Sequence, residues 1–63
     1  MMQLYEYMRK HQLSDAAVAA DLKVSRPTVT RWRNRSMRPD WPMAERIQEW
    51  SDGDVSPNDW AGH

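Results

Sequence analysis

Residues 13–32, LSDAAVAADLKVSRPTVTRW, decide the fold of this chain. Ser14 is suited to cap a helix that contains four alanines, the residue with the highest helix propensity, and that ends near Leu22. After a short break a second helix begins at Ser25 or Arg26, with Pro27 in its first turn, where a missing N–H costs nothing. The stretch therefore predicts two short helices joined by a tight turn.

The flanking segments also predict helices. Residues 2–12 form a first helix, because apolar side chains recur there at helical spacing: Leu4, Tyr7, Met8 and His11. A polar loop over residues 34–40 leads to a fourth helix that opens at Asp40 or Trp41, ends at residues 52–54, and is followed by a half-turn from Ser56. No period-two run of β-branched residues is present, so the sequence contains no strand signal. We expect an all-α bundle of four to five helices.

Length and composition limit the architecture and the chemistry. The 63 residues predict a single domain over 1–63, with a core over about 2–51 and a tail over 52–63. The absence of cysteine, of an apolar run near membrane-spanning length and of a secretory signal favours the cytoplasm. His11 and His63 are isolated, so we expect no metal site. No nucleophile–base pair or glycine-rich phosphate loop is visible, which argues against an enzyme and against a cofactor.

The charges are segregated along the chain although the net charge is zero. Six of the nine basic residues lie in 23–38, where no acid occurs, and six of the nine acids lie in 40–63. The local field governs docking more than the summed charge does, so the basic middle is suited to nucleic acid. The alternative is an ordinary solvated face. The basic residues are Lys23, Arg26, Arg31, Arg33, Arg35 and Arg38.

Residues 13–32 resemble the helix-turn-helix of the phage Cro/C1-type repressors and their bacterial relatives. Ala19 matches the small residue at the helix contact, and VSRPTVTRW is similar to the family's recognition helix, within a resemblance that covers roughly residues 3–51. The chain departs from the family at Lys23, where glycine is usual and a positive φ is expected, and at Asp15, where a phosphate-binding glutamine is frequent. The resemblance implies a lambda-repressor-like fold in the cytoplasm of a bacterial or phage-infected cell.

The resemblance also implies roles for individual side chains in a complex with DNA. If the third helix enters the major groove, the residues that face the bases are Arg26, Pro27, Thr30 and Arg31. The residues expected to contact phosphates on either side are Lys23, Ser25, Thr28, Arg33, Asn34, Arg35 and Arg38. For Thr28 a local backbone bond is the alternative, and for the arginines it is plain solvation. Trp32 is expected in the core.

The leading hypothesis is a sequence-specific transcriptional regulator that blocks a promoter and responds to no small-molecule effector. Such modules usually bind near-palindromic operators as dimers, since one helix gives little affinity. The candidate residues for a homodimer contact are Trp41, Ile47, Trp50, Val55 and Trp60. For Trp50 and Trp60 the first interpretation is a core and a tail-docking position, and Trp41 could instead staple the fourth helix or contact a phosphate. A recombination accessory factor or an antitoxin would use the same surface. The hypothesis of a different class is a helical protein-interaction module, an antirepressor or adaptor that uses the acidic tail and the tryptophans.

Overall fold

The computed structural model describes residues 2–60, which form four α-helices and a terminal 3-10 helix. No strand occurs within these residues, so the predicted all-α class is confirmed. His63 and the rest of 61–63 lie outside the described residues. The elements are α1 (Leu4–Lys10), α2 (Asp15–Leu22), α3 (Arg26–Arg33), α4 (Trp41–Trp50) and the 3-10 helix (Pro57–Trp60).

Short polar side chains begin three of the helices as the sequence predicts. The Ser14 hydroxyl accepts a bond from the Ala17 N–H at 3.1 Å at the start of α2. The sequence left open whether Ser25 or Arg26 begins the third helix and whether Asp40 or Trp41 begins the fourth. In the structure Ser25 caps α3 and Asp40 caps α4, each by accepting a bond from the backbone N–H three residues on. Each cap satisfies one N–H that lacks a partner within its helix.

A non-glycine residue with positive φ lies at or just beyond the end of each α-helix, and after α4 it is followed by Gly53, with φ 88°. Lys23 has φ 59° and ψ 46°, which confirms the positive φ expected at this turn. A positive φ also follows α1, α3 and α4, at positions where no residue type predicted it. It stops α1 at Lys10, before the predicted residue 12. The three further residues are Gln12, Arg35 and Asp52, with φ of 56°, 65° and 57°.

The core joins all four helices to the C-terminal segment. Its α2 and α3 members make the most extensive helix–helix contact in the described chain, with Ala19 buried between the larger side chains. Trp32 is buried, as predicted. Its apolar members are Leu4, Met8, Val18, Ala19, Leu22, Val29, Trp32, Ala44, Ile47, Val55 and Trp60.

The predicted limit of the core at residue 51 is wrong, because the segment that follows α4 folds back into it. Val55 and Trp60 are buried there. The buried Ser51 hydroxyl fixes the return by accepting a bond from the Val55 N–H at 2.9 Å. The Met2 N–H in turn donates to the Asp54 carbonyl at 2.9 Å, which ties the start of the described chain to the segment after α4. The core therefore needs residues well beyond α4.

This packing removes most of the residues expected at a dimer contact. Ile47 and Val55 have no exposed surface and Trp60 is 5% exposed, so a partner cannot reach them without unfolding the chain. Trp50 is half-buried, and its ring is tilted 56° against that of Tyr7 with the centroids 5.0 Å apart. Its indole N–H donates to an Asp21 carboxylate oxygen at 3.2 Å. Ile47, Val55 and Trp60 are therefore corrected from dimer candidates to core residues, and Trp50 lies at the edge of the core.

Candidate nucleic-acid interface

The side chains of α3 divide into an exposed group and a group that faces α2. Arg26, Pro27 and Arg31 are exposed, whereas Thr30 is half-buried. Arg26, Thr30 and Arg33 recur at i, i+4 and i+7, which places them on one stripe. The structure therefore brings three of the four predicted base-contacting residues to the surface of one short helix.

One carboxylate at the start of α2 holds Thr30 and Arg33, the two half-buried residues of this stripe. The Arg33 Nε donates to Asp15 Oδ1 at 2.9 Å, and Arg33 Nη2 donates to Oδ2 at 3.1 Å. The Thr30 hydroxyl donates to the same Oδ2 at 2.6 Å. We call this arrangement the Asp15 clasp, consisting of Asp15, Thr30 and Arg33. It joins the two helices of the helix-turn-helix through charge-assisted bonds in a forked geometry.

The clasp changes the ionisation of its members in opposite directions. The bonds from Arg33 and then from Thr30 hold the pKa of the Asp15 carboxyl below its ordinary value, because they stabilise the charged form. The bond to Asp15 raises the pKa of the Arg33 guanidinium. Asp15 is thus ionised at neutral pH, with its charge balanced by Arg33. Because Arg33 balances this charge, Asp15 repels a nearby phosphate less than an unpaired carboxylate would.

Ser25 and Thr28 are bound to each other at the beginning of α3. Their hydroxyl oxygens lie 2.7 Å apart, and the Ser25 hydroxyl also accepts from the Thr28 N–H at 3.3 Å. Thr28 therefore bonds to the Ser25 side chain through both its hydroxyl and its backbone N–H. Both residues order the helix start, where backbone N–H groups face outward and suit an anion.

The end of α3 is fixed by a Schellman motif that directs the basic loop. The Ser36 N–H donates to the Arg31 carbonyl at 3.0 Å, and the Arg35 N–H donates to the Trp32 carbonyl at 3.1 Å. Arg35 is half-buried in the left-handed position, while Asn34 and Arg38 are exposed on either side of the motif. Lys23 is exposed at the opposite end of α3. The remaining predicted phosphate contacts thus flank the helix at both ends.

Two functional contacts were missed by sequence reasoning. The partners in the Asp15 clasp are 15 and 18 residues apart, so no local spacing reveals them. Arg46, the one cation of the acidic segment 40–63, donates from Nη2 to the Leu22 carbonyl at 2.8 Å and so ties α4 to the turn of the helix-turn-helix. Its isolation among acids was the only signal in the sequence.

Residues 2–60 contain no group of three or more potential metal-ligating side chains. In the same part of the chain, no helix has the length and apolar character needed to cross a membrane.

The fold and this face define a helix-turn-helix domain. A family model described as homeodomain-like domain matches residues 3–40, and the chain belongs to that family. The match covers all of α1, α2 and α3, and it indicates DNA as the partner of the domain. No curated protein and no solved structure matches the chain.

Proposed function

We propose that the chain is a sequence-specific double-stranded DNA-binding regulator of transcription that inserts α3 in the major groove, in the manner of a Cro/C1-type repressor. The observation that supports it most is the joint exposure of Arg26, Pro27 and Arg31 on α3. An arginine fork matches the two acceptors of guanine, worth about 1–3 kcal/mol of discrimination, and proline offers an apolar contact to a thymine methyl. Bound at a promoter, the protein blocks polymerase sterically.

Phosphate contacts on both sides of α3 supply the affinity that is independent of sequence. Lys23 precedes the helix, and Asn34, Arg35 and Arg38 follow it. Arg33 leaves the expected set because its fork is bound to Asp15. Arg35 is half-buried and is itself engaged, which leaves Lys23 and Arg38 as exposed cations. Two phosphate contacts make the logarithm of the association constant fall with the logarithm of salt concentration at a slope of about −1.8 per protein copy, two times roughly −0.9.

The test is a salt titration of binding to a duplex of random sequence and to a duplex enriched from a random pool. We expect the stated slope on the random duplex and tighter binding to the enriched one. Absence of any shift at micromolar protein and low salt would contradict DNA binding. Equal affinity for the two duplexes would contradict sequence specificity while leaving DNA binding in place.

We further propose that two copies bind a near-palindromic operator, since a single short helix gives little affinity and specificity. Of the five residues expected at the contact, Trp41 keeps a large exposed fraction, 64%. It lies at the start of α4 and borders a shallow groove with Arg38, Pro39 and Pro57. Sedimentation of the protein on its enriched duplex gives the stoichiometry, and Trp41→Ala should convert two copies to one.

The second candidate function is a helical protein-interaction module. The observation that favours it is the exposure of Trp41 together with that of Met37, which is 39% exposed. Its partner would bind this apolar surface and leave α3 unused. A salt-independent association that is lost in Trp41→Ala and kept in Arg31→Ala would select this function over DNA binding.

A further inference from the structure

The Asp15 carboxylate is fully engaged by α3. Both of its oxygens accept bonds from Arg33, and Oδ2 also accepts the Thr30 hydroxyl at 2.6 Å. The side chains are only partly exposed, 21% for Asp15 and 37% for Arg33. A guanidinium that donates through Nε and Nη2 has used one of its two forked edges, and the Asp15 carboxylate beside it opposes the approach of a phosphate to the remaining Nη1 donors.

The geometry of α3 separates the clasp from Arg31, whereas the exposed Arg26 lies on the same stripe as the clasp residues. Arg31 and Arg33 are two residues apart, about 200° around the helix at 3.6 residues per turn, so they point to different sides. Arg26, one turn ahead of Thr30, is exposed and adds a weaker attraction to Asp15. If Arg33 turned to a phosphate, the Asp15 carboxylate would be left without its counter-charge beside the DNA backbone, and like charges repel.

Resting on the DNA-binding function proposed above, we propose that Asp15 is a specificity-determining positioning residue that keeps Arg33 and Thr30 bound to α2 while the protein is on DNA. The bases are then contacted by Arg26, Pro27 and Arg31. A phosphate contact from Arg33 would add affinity for every sequence alike. Without the Arg33 phosphate contact, affinity for non-specific DNA is lower while the base contacts are kept. The ratio of specific to non-specific affinity is therefore larger.

The test compares Asp15→Asn with the wild-type protein on a duplex of random sequence. Asparagine keeps the size of the side chain and removes its charge, so Arg33 is freed to bind a phosphate. The salt slope should steepen from about −1.8 to about −2.7, two against three contacts at roughly −0.9 each. Between 50 and 200 mM salt, the variant should lose about 3.5-fold more affinity than the wild type, and its preference for the enriched duplex should fall. A slope equal to that of the wild type would overturn the proposal.

Two controls separate the clasp from general charge and from folding. Asp21→Asn removes the same charge from the same helix, at an exposed residue outside the clasp, and should leave the slope unchanged. Arg33→Gln should leave the wild-type slope unchanged but cancel the steepening in the double variant with Asp15→Asn. If Arg33→Gln makes the wild-type slope shallower by about 0.9, Arg33 already contacts a phosphate and the proposal is wrong.

A measurement on the wild-type protein removes any dependence on the folding of variants. The ¹⁵N resonance of Arg33 Nε–H should stay at its free-protein position when the enriched duplex is added, because its bond to Asp15 persists. A shift as large as that of Arg31 would overturn the proposal. If the wild-type protein binds no duplex, the DNA-binding function itself fails, an outcome distinct from binding with a displaced Arg33.

Discussion

At the residue scale, the molecule accepts backbone strain at four helix ends. Gln12, Lys23, Arg35 and Asp52 all have positive φ, a conformation that costs a residue with a Cβ roughly 1 kcal/mol or more. Each permits a backbone bond that closes its helix; after α2, the Val24 N–H donates to the Ala19 carbonyl at 3.0 Å. Lys23 also places an exposed cation next to α3. At Lys23 the positive φ therefore affects the stability of the fold, whereas the charge affects DNA binding.

Lys23→Gly should separate these two effects. Glycine relieves the positive φ, and we expect a gain of about 0.5–1 kcal/mol, with the melting temperature rising about 4–8 °C per kcal/mol for a domain of this size. Loss of the cation should make the salt slope of DNA binding shallower by about 0.9. Lys23→Ala is the matched control, with the same change in slope and no thermal gain. A lower melting temperature for Lys23→Gly would contradict the role given to the strain.

At the element scale, the helix-turn-helix is held by a buried apolar contact and by the Asp15 clasp. Ala19, Val29 and Trp32 supply the apolar part. The clasp then ties the first turn of α2 to the last two turns of α3. Both sets of contacts fix the angle between the two helices, on which the presentation of Arg26 and Arg31 depends.

The clasp should make the stability of the domain sensitive to acid. The folded protein holds the pKa of Asp15 below its ordinary value of 3.8, so the clasp stabilises fully above that pH and is lost as the pH falls through the lowered pKa. We expect Asp15→Asn to cost about 1 kcal/mol at neutral pH, since the pair is partly exposed, and to show a shallower decline below pH ~4. Urea unfolding from pH 7 to 3 measures both quantities.

Asp21→Asn serves as the reference in that series, because it removes a carboxylate from α2 without touching the clasp. Parallel curves for the wild type and Asp15→Asn over the whole range would show that the clasp contributes nothing to the pH dependence.

The elements could be predicted from the sequence because their determinants are local. Ser14, Ser25 and Asp40 cap helices through bonds that span three residues, and the apolar spacing gave Val29 and Trp32 their inward side. The site was less accessible to such reasoning. Arg33 meets Asp15 only because α2 and α3 cross. From its position along α3 alone, Arg33 could not be distinguished from an arginine that contacts a phosphate.

At the scale of the whole molecule, the C-terminal segment completes the core. A chain of 63 residues has little apolar area to bury, so each large side chain matters. Val55 and Trp60 pack under α4, and the Ser51 hydroxyl fixes the turn between them and the helix. The sequence placed them in a tail because the break at Asp52 and Gly53 looks like an end; the return of the chain is a tertiary event.

Trp60→Ala should therefore destabilise the molecule strongly. Removal of a buried tryptophan costs about 3–5 kcal/mol, comparable to the whole stability of a domain this small, so most of the protein should be unfolded at 25 °C. Trp41→Ala is the control, since the side chain is 64% exposed and its loss should change stability by less than about 0.5 kcal/mol. Thermal melting followed by circular dichroism distinguishes the two. Equal melting temperatures would show that the segment is not part of the core.

We propose that α3 contacts bases through Arg26, Pro27 and Arg31, and selection of bound duplexes is the sharpest test of these contacts. The wild-type protein and Arg31→Ala are each used to enrich bound duplexes from the same random pool. We predict a short enriched motif for the wild type, repeated with two-fold symmetry, and the same motif with preference lost at one position of each half for the variant. An identical motif from both proteins would contradict the base contact of Arg31. No motif from the wild type would contradict base contacts by α3 altogether.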